Sequence, residues 1–228
     1  MKKILDIISR VPLFSGLSED QLKKIRQIAV DKFYDKGRTV FLEGDDCNGF
    51  YIVADGKVKI YKVSLEGKEH ILHIYGSGNP FGEVPVFSGQ RFPASAQTLL
   101  KSHLLYLPKA AFVDLISDNP SLSLNMLAVL SMRLRQFTVQ IENLSLKEVP
   151  GRLASYLIYL AEEQQAGDLV SLTVSKGQLA SLLGTIPETL SRILARMAEK
   201  GLITVDGRDI RLINPDELAD LAEHGKFT

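Results

Sequence analysis

The chain has 228 residues, of which 45% are apolar and 24% are charged, an ordinary balance for a globular protein. Its 27 Lys and Arg equal its 27 Asp and Glu, and this net charge of zero neither favours nor excludes a nucleic-acid partner. The single cysteine, Cys47, excludes an internal disulfide and an all-cysteine metal or iron–sulfur site within one chain.

The N-terminal sequence MKKILDIISR begins like a signal peptide, but Asp6 and Arg10 interrupt its apolar run. No apolar stretch approaches the ~20 residues that a helix needs to span a bilayer. We therefore expect a cytoplasmic protein with no membrane partner. Within residues 1–32, Ser18 and Gln21 predict a capping box that starts a short helix.

A β-rich region extends from Phe33 to about Leu107. Short runs such as FYIVADGKVKIYKV are separated by glycine-containing turn signals, at a spacing of about 8–12 residues that is typical of a sandwich or barrel. We expect a double-stranded β-helix, or jelly-roll, with two sheets and an interior pocket. The fold class is then α+β, with a first domain over residues 1–118.

After Pro108 the apolar period becomes helical, and Pro120-Ser121 opens a long helix. Apolar residues recur there at alternating steps of three and four, the pattern of the seam of a two-stranded coiled coil. The predicted seam residues are Leu127, Leu130, Leu134, Phe137, Ile141 and Leu144. Arg133 and Glu142 lie outside this seam, which favours a dimerisation helix over residues 119–146 in a parallel homodimer. A helix that packs on its own domain is the alternative.

Val149-Pro150-Gly151 breaks that helix, and a second domain follows over residues 147–228. From Lys147 onward, nine Lys and Arg stand against twelve Asp and Glu, a net charge of −3. Judged by net charge alone, this second domain would not be expected to bind DNA. Ser175 to Lys200, however, carries four basic and two acidic residues, so the placement of charge matters more than its sum.

Two helices and a tight turn are predicted within TVSKGQLASLLGTIPETLSRILARMAEKGLI. Ser175 and Gln178 form a capping box, and Gly184 supplies the left-handed residue that ends the first helix. Pro187 suits the first position of the second helix, with Ile186 in the extended backbone of an N-cap. The buried faces are predicted at Leu179, Leu182, Leu183, Leu190, Ile193, Leu194 and Met197.

The exposed face of the second helix carries side chains that can read base edges. Glu188 can accept from cytosine N4–H, and Arg192 can donate a bidentate pair to guanine O6 and N7. The sequence LITVDGRDIRLI then predicts two strands that meet at Asp206-Gly207, the wing of a winged helix-turn-helix. We predict double-stranded DNA as a partner, and a solvated amphipathic hairpin is the alternative. The predicted DNA-binding residues are Ser175, Lys176, Pro187, Glu188, Thr189, Ser191, Arg192 and Arg208.

On these motifs the chain resembles the Crp/Fnr family of bacterial transcription regulators over nearly its whole length. The stretches FGEVPVF, NPSLSLNML, VPGRLASYL and PETLSRIL occur in the family's order. The resemblance implies a homodimer on a two-fold-symmetric operator, with an effector in the β-roll and RNA polymerase as a partner of an activator. Glu188, Ser191 and Arg192 match the Glu-x-x-Ser-Arg pattern of Fnr-like members, which implies TTGA-like half-sites about 34 Å apart.

The sequence FGEVPVFSGQRFPASAQ resembles the family's cyclic-nucleotide cassette, but Ala94 stands where the phosphate-binding arginine is expected. Loss of that charge-assisted pair costs about 2–4 kcal/mol, so cyclic AMP is not expected. Phe137 falls where cyclic-AMP-binding members have a base-contacting threonine, and Thr138 is adjacent. The predicted effector-pocket residues are Gly82, Glu83, Arg91, Pro93, Ala94, Ser95, Phe137 and Thr138.

FPASAQ further resembles the branch of Dnr- and HcpR-like regulators, which implies a response to nitric oxide through haem. An apolar pocket without the phosphate's arginine suits a haem macrocycle, so we predict haem as the cofactor. The candidate iron ligands are His70, His73, His103, Cys47, Met126 and Met132, and none is singled out. His70 and His73 are three apart in a predicted strand, so we expect them on opposite faces and not in one metal site. Each histidine has a structural role as its alternative, and Cys47 a surface position in a polar loop.

Two other classes of function compete with a regulator. An enzyme is not expected, because GSGNPFG has the wrong spacing for a nucleotide loop and the common hydrolase and kinase motifs are missing. A cyclic-nucleotide-binding signalling module without DNA binding would not need the winged helix. A cyclic-nucleotide-responsive regulator is the remaining alternative.

Overall fold

A computed structural model describes residues 2–165 and 167–226 of the chain. The chain forms two compact units, Met1–Leu134 and Arg135–Thr228. Among the described residues, no helix combines the length and the apolar character that crossing a bilayer requires.

The first unit begins with helix α1 (Lys2–Arg10), a 3₁₀ turn (Pro12–Phe14) and helix α2 (Glu19–Ile28). The Ser18 hydroxyl accepts from the Gln21 N–H, and the Gln21 side chain accepts from the Ser18 N–H. The predicted capping box is therefore confirmed. Two acidic residues in the first turn of α2 further favour its positive N-terminal end.

Eight strands then form two four-stranded antiparallel sheets, in the orders β1-β8-β3-β6 and β2-β7-β4-β5. The strands are β1 (Val30–Tyr34), β2 (Thr39–Phe41), β3 (Gly49–Asp55), β4 (Val58–Val63), β5 (Glu69–Tyr75), β6 (Pro80–Phe81), β7 (Ser95–Thr98) and β8 (Ser102–Pro108). The double-sheet β-roll that the turn spacing predicts is confirmed.

The central strands β3 and β8 of the first sheet are buried on both faces, because their side chains alternate between two cores. Phe50 and Leu107 pack with α1, α2 and helix α4 (Lys109–Ser117). Val53 and Leu104 pack instead against the second sheet. Helix α3 (Val84–Ser88) follows β6, and its Val86 packs into the same core as Phe50.

Helix α5 (Pro120–Leu146) is 27 residues long and leads from the first unit into the second. The second unit continues with α6 (Val149–Gln164), β9 (Leu169–Ser171), α7 (Lys176–Leu182), α8 (Pro187–Glu199), β10 (Ile203–Asp206), β11 (Asp209–Leu212) and α9 (Pro215–His224). The three strands form an antiparallel sheet in the order β10-β11-β9, so the predicted winged helix-turn-helix is confirmed.

Two glycines allow the start of α6 and the end of α9 to lie in backbone contact. A Cβ added to Gly151, in the first turn of α6, would lie 2.4 Å from the Cα of Gly225, which ends α9. Gly225 has φ 79°, a left-handed conformation that suits glycine. The backbone at the start of α6 therefore rests directly on the end of α9.

Candidate functional site

The second helix of the helix-turn-helix, α8, begins as its sequence predicts. Ile186 is the N-cap, in extended backbone with φ −109° and ψ 154°, and Pro187 occupies the first turn. Ile186 provides no capping oxygen, so the first N–H groups of α8 rely on the Glu188 carboxylate in the first turn and on groups outside the helix. These N–H groups and Glu188 mark the exposed start of α8.

The exposed face of α8 holds the three predicted reading residues together. Glu188, Ser191 and Arg192 are all exposed and lie three and four residues apart, which places them on one side of the helix. The Ser191 hydroxyl donates to the Pro187 carbonyl at 2.8 Å, and Arg192 Nη2 donates to Thr189 Oγ1 at 3.2 Å. The opposite side is buried, as predicted, at Leu190, Ile193, Leu194 and Met197.

The other predicted DNA-binding residues surround this helix. Ser175 caps α7 through a 3.2 Å bond from the Gln178 N–H, and Lys176 beside it is exposed. Arg208 is exposed in the two-residue turn between β10 and β11, where Gly207 has φ 59°. Contact of any of these residues with DNA stays a prediction.

Helix α5 carries two separate apolar stripes. Leu122, Met126 and Val129 are buried in the first unit, and Arg133 continues this stripe with a side chain that is 14% exposed. The alternative of a helix packed on its own domain therefore holds for this face of α5. The predicted seam is a second face: Leu130 is half-buried, and Leu127, Leu134, Phe137, Ile141 and Leu144 are 42–68% exposed.

Part of the predicted effector cassette packs into the core of the roll. Gly82 has φ 73°, and a Cβ there would lie 3.2 Å from atoms of both the Phe41 and the Phe92 rings. These two rings stack with centroids 3.7 Å apart. The roll interior beside Gly82 is therefore packed with the chain's own aromatic side chains.

The cassette places no guanidinium inside the roll. Ala94 is 5% exposed, and the Ser95 hydroxyl accepts from the Glu43 N–H at 3.0 Å. Arg91 instead lies outside, 71% exposed, with its Nε 3.2 Å from the Asp46 carboxylate. Pro93 is exposed as well.

The carboxylate of Glu83 is instead paired with an arginine from α5. Arg133 donates through Nη1 to Glu83 Oε1 and through Nη2 to the Pro80 carbonyl, and its guanidinium lies 5.0 Å from the centre of the Tyr75 ring. The Glu83 side chain is only 5% exposed, and its Oε2 has no hydrogen-bond partner among the described residues. Sequence reasoning missed this pair, since it placed Arg133 merely outside the seam.

His73 lies near this ion pair. Burial, together with the positive charge of Arg133, lowers the pKa of His73 to about 4, so its imidazole is neutral at neutral pH. Its ring lies 4.3 Å from the Tyr75 ring. Burial also raises the pKa of Tyr75.

The expectation that His70 and His73 lie on opposite faces is wrong. The register of β4 and β5 shifts between Ile60 and Tyr61, so that His73 pairs with Ile60 and His70 pairs with Lys62. Paired residues of an antiparallel sheet project to the same side, and Ile60 and Lys62 are two apart on one strand. The β-bulge, which leaves Leu72 as the extra residue, therefore brings both histidines to one face.

Two other candidate iron ligands are engaged elsewhere. His103 Nε2 lies 2.7 Å from Asp31 Oδ1, and its ring stacks on Phe33 with centroids 4.4 Å apart. Cys47 is half-buried against both cores, not at the surface as predicted, and burial raises its pKa. A protonated thiol is a poor metal ligand.

The two methionines among the candidate iron ligands lie on helix α5. Met126 is buried in the core, and Met132 is 54% exposed on α5. No cluster of three or more His, Cys, Asp or Glu side chains suited to a metal ion occurs in the part of the chain that the structure describes. His73 thus combines a neutral imidazole with a place beside the Glu83–Arg133 pair.

Comparison with known proteins agrees with this architecture. Residues 31–119 match the cyclic nucleotide-binding domain, and residues 151–221 match the Crp-like helix-turn-helix domain. The chain is 30% identical over 218 residues to the CRP-like cAMP-activated global transcriptional regulator of Mycobacterium tuberculosis (strain CDC 1551 / Oshkosh), an alignment that covers 94% of this chain and 97% of the relative.

Two further matches extend the comparison. The fumarate and nitrate reduction regulatory protein of Escherichia coli (strain K12) is 30% identical over 222 residues, which cover 95% of this chain and 88% of that protein. The solved structure of DNR from Pseudomonas aeruginosa is 34% identical, with a TM-score of 0.50 and coverage of 94% of this chain and 96% of that one. This chain belongs to the Crp/Fnr family of DNA-binding transcription regulators with a ligand-binding domain, whose members act as dimers.

Proposed function

We propose that this protein is a cytoplasmic homodimer that pairs along α5 and binds a palindromic operator with TTGA-like half-sites. Its domains are a sensing β-roll over residues 1–118, a dimerisation helix over residues 119–146 and a DNA-binding domain over residues 147–228. RNA polymerase is its partner where it activates transcription. The observation that carries the DNA-binding part is the row of Glu188, Ser191 and Arg192 on the exposed start of α8.

In this proposal each reading residue has a distinct chemical task. Arg192 donates two parallel hydrogen bonds to guanine O6 and N7, and Glu188 accepts from cytosine N4–H on the other strand. Ser191 already donates to the helix backbone, which leaves its oxygen free to accept from a base. Lys176 and Arg208 contact phosphates and so add affinity without sequence preference.

The exposed seam of α5 supports the dimer. Five of the six seam residues are 42–68% exposed in the single chain, a row of apolar surface along one helix face. A second copy of α5 in parallel would bury this row by knobs-into-holes packing. Two reading helices related by a two-fold axis would then meet successive major grooves about 34 Å apart.

For the effector, we propose haem, with nitric oxide as the signal. Two observations support it: the buried Ala94 in place of the phosphate's arginine, and the neutral imidazole of His73 on the β4–β5 sheet. His73 would hold the haem iron. When bound, the haem iron would supply a centre with high affinity for nitric oxide. The 34% identity to DNR also favours this branch of the family.

A cyclic nucleotide is the second candidate, and the pair of Glu83 and Arg133 favours it. Arg133 offers a cation near the roll interior that the cassette itself lacks, and Glu83 Oε2 is a buried acceptor that a ligand hydroxyl can satisfy. The relative from Mycobacterium tuberculosis is named as cAMP-activated. This candidate needs Arg133 to take over the anion-binding role of the missing arginine.

One titration separates the two effectors. Haemin added to the purified protein should give a sharp Soret band that saturates at one equivalent per chain and shifts with nitric oxide. His73→Ala should abolish this band, whereas the matched variant His70→Ala, on the same sheet face, should keep it. Absence of a saturable band, with calorimetric binding of cyclic AMP that is lost in Arg133→Leu, would reverse the assignment.

A further inference from the structure

Arg152 links the start of α6 to the turn of the helix-turn-helix. It lies directly after Gly151 and is half-buried, and its Nη1 donates to the Leu183 carbonyl at 2.6 Å. Leu183 is the C-cap of α7, with φ −82° and ψ 1°. Burial lowers the pKa of Arg152, although the guanidinium stays charged at any working pH.

The carbonyl that Arg152 holds is one that the helix itself cannot satisfy. The last carbonyls of a helix lack N–H partners from a following turn and carry the negative end of the helix dipole. Two neighbouring carbonyls of α7 are hydrogen-bonded within the turn. The Gly184 N–H donates to the Ser181 carbonyl, and the Thr185 N–H donates to the Ala180 carbonyl. The Leu183 carbonyl receives its donor from α6.

This contact sits where it can set the direction of α8. Only three residues separate Leu183 from Pro187, the first residue of α8, so a shift of the Leu183 carbonyl is passed on to the reading helix. Gly184, at φ 67°, and the extended Ile186 fix the path between them. Arg152 therefore acts on the position of α8 without facing DNA itself.

The backbone of Arg152 is held in place at the start of α6. The backbone N–H of Arg152 donates to the Glu148 carbonyl at 3.1 Å, and the preceding Gly151 packs on the backbone of Gly225. Lys147 Nζ donates to Ser155 Oγ at 3.2 Å across the same turn. The Arg152 side chain thus connects the start of α6 to the turn before α8.

The guanidinium of the half-buried Arg152 is not fully satisfied. Arg152 Nε is buried and has no hydrogen-bond partner among the described residues. An apolar side chain of similar length would fill the space without leaving a buried donor unpaired. The bond to the Leu183 carbonyl is an interaction that such an apolar side chain could not make.

We propose that Arg152 is a positioning residue for DNA recognition, which holds the α7–α8 turn against α6 and thereby fixes the direction of the reading helix. The proposal rests on the proposed roles of Glu188 and Arg192. Its prediction is a loss of sequence discrimination, since the phosphate-contacting cations remain in place when Arg152 is replaced.

The test compares Arg152→Met, Arg152→Lys and the matched control Arg211→Met, which removes an exposed arginine of the same unit that pairs with Asp168. Each variant is titrated with a duplex of inverted TTGA half-sites and with a scrambled duplex of equal length, at several salt concentrations. Arg152→Met should bind the operator at least tenfold more weakly, with an unchanged affinity for the scrambled duplex and an unchanged salt slope. Arg152→Lys should recover most of the wild-type ratio of operator affinity to scrambled-duplex affinity, and Arg211→Met should match the wild type.

The inference would be overturned if the ratio of operator affinity to scrambled-duplex affinity in Arg152→Met equals that of the wild type. An equal loss of affinity for both duplexes is one such result. If Arg152→Met does not fold, the same ratio measured for Arg152→Gln decides by the same criteria. A wild-type protein that does not prefer the operator would instead refute the proposed function, so the two failures are distinguishable.

Discussion

The guanidinium of Arg133, on helix α5, pairs with the carboxylate of Glu83 in the β-roll, fifty residues earlier in the chain. Both side chains are largely buried, at 14% and 5% exposure. Glu83 belongs to the predicted effector cassette, and Arg133 lies within the helix whose other face is the proposed dimer seam. One ion pair therefore joins the predicted effector cassette to helix α5 inside a single compact unit.

Removal of the cation from this pair should destabilise the first unit. Arg133→Leu leaves the Glu83 carboxylate buried without a counter-ion, and the expected loss in the free energy of unfolding is about 3–5 kcal/mol. Urea unfolding followed by circular dichroism measures it. The double variant Arg133→Leu/Glu83→Leu should recover most of the loss, because no buried charge is then left unpaired.

The control for this prediction is Arg10→Leu, which breaks the exposed pair with Asp6. Exposed pairs contribute about 0.2–1 kcal/mol, so this variant should stay close to the wild type. An Arg133→Leu variant no less stable than Arg10→Leu would show that the Glu83–Arg133 pair does not support the fold.

His73 should make stability fall in acid. Its pKa is about 4 in the folded chain, against an ordinary value of 6.5, so the unfolded chain binds more protons between these two pH values. The free energy of unfolding therefore rises with pH in this window, and acidification from pH 6.5 to pH 4 should remove up to about 3 kcal/mol. In His73→Phe, the free energy of unfolding should no longer show this part of its dependence on pH.

The matched control is His70→Phe, which removes a histidine from the same face of the sheet. Urea unfolding at pH 7 and at pH 4.5 compares the three proteins. Equal pH slopes for the wild type and His73→Phe would mean that His73 is not held neutral by its surroundings.

The parts of the fold that the sequence predicts are those set by local interactions. The capping boxes at Ser18 and Ser175 and the start of α8 at Pro187 depend on residues within four positions of each other. The double-sheet roll follows from the spacing of its turns. The exposed reading face of α8 follows from helical periodicity alone.

The parts that sequence reasoning missed depend on tertiary contacts. Nothing local to Arg133 reveals that its partner is Glu83, and a β-bulge at Leu72, which moves His70 to the face of His73, leaves no clear pattern in EHILHIY. Cys47 lies in a polar stretch of sequence, yet the fold packs it between two cores. The contact between Arg152 and Leu183 likewise spans 31 residues.

Replacement of Arg192 should relax base choice at one position. Arg192→Ala removes the proposed bidentate donor to guanine, so operator binding should weaken by about 1–3 kcal/mol and the guanine preference should fade at that position. A binding-selection assay with competitive titration measures both effects. Lys176→Ala is the control: it should weaken all duplexes alike and lower the salt slope by about one.

An Arg192→Ala protein that selects the same sequences as the wild type would contradict the assignment of Arg192 as the guanine reader. Loss of all DNA binding in Lys176→Ala would equally show that its role is larger than one phosphate contact.

A charge in the seam should separate the proposed dimer. Ile141 is 65% exposed in the single chain, and Ile141→Glu would place two like charges against each other in a parallel pair of α5 helices. Sedimentation velocity should then show a monomer, with operator affinity lost together with the dimer. Leu65→Glu, at a fully exposed leucine outside α5, should remain dimeric. A dimeric Ile141→Glu protein would place the interface elsewhere.

Two copies of this chain are expected to present paired α8 helices to an inverted repeat. The decisive measurement is selection of random duplexes by the wild-type protein at fixed salt, with sequencing of the bound pool. The expected pool contains inverted TTGA-like half-sites whose centres lie one helical turn apart, about 34 Å. A pool of single half-sites, of direct repeats or of no preferred sequence would show that the protein does not bind as a symmetric pair of α8 helices.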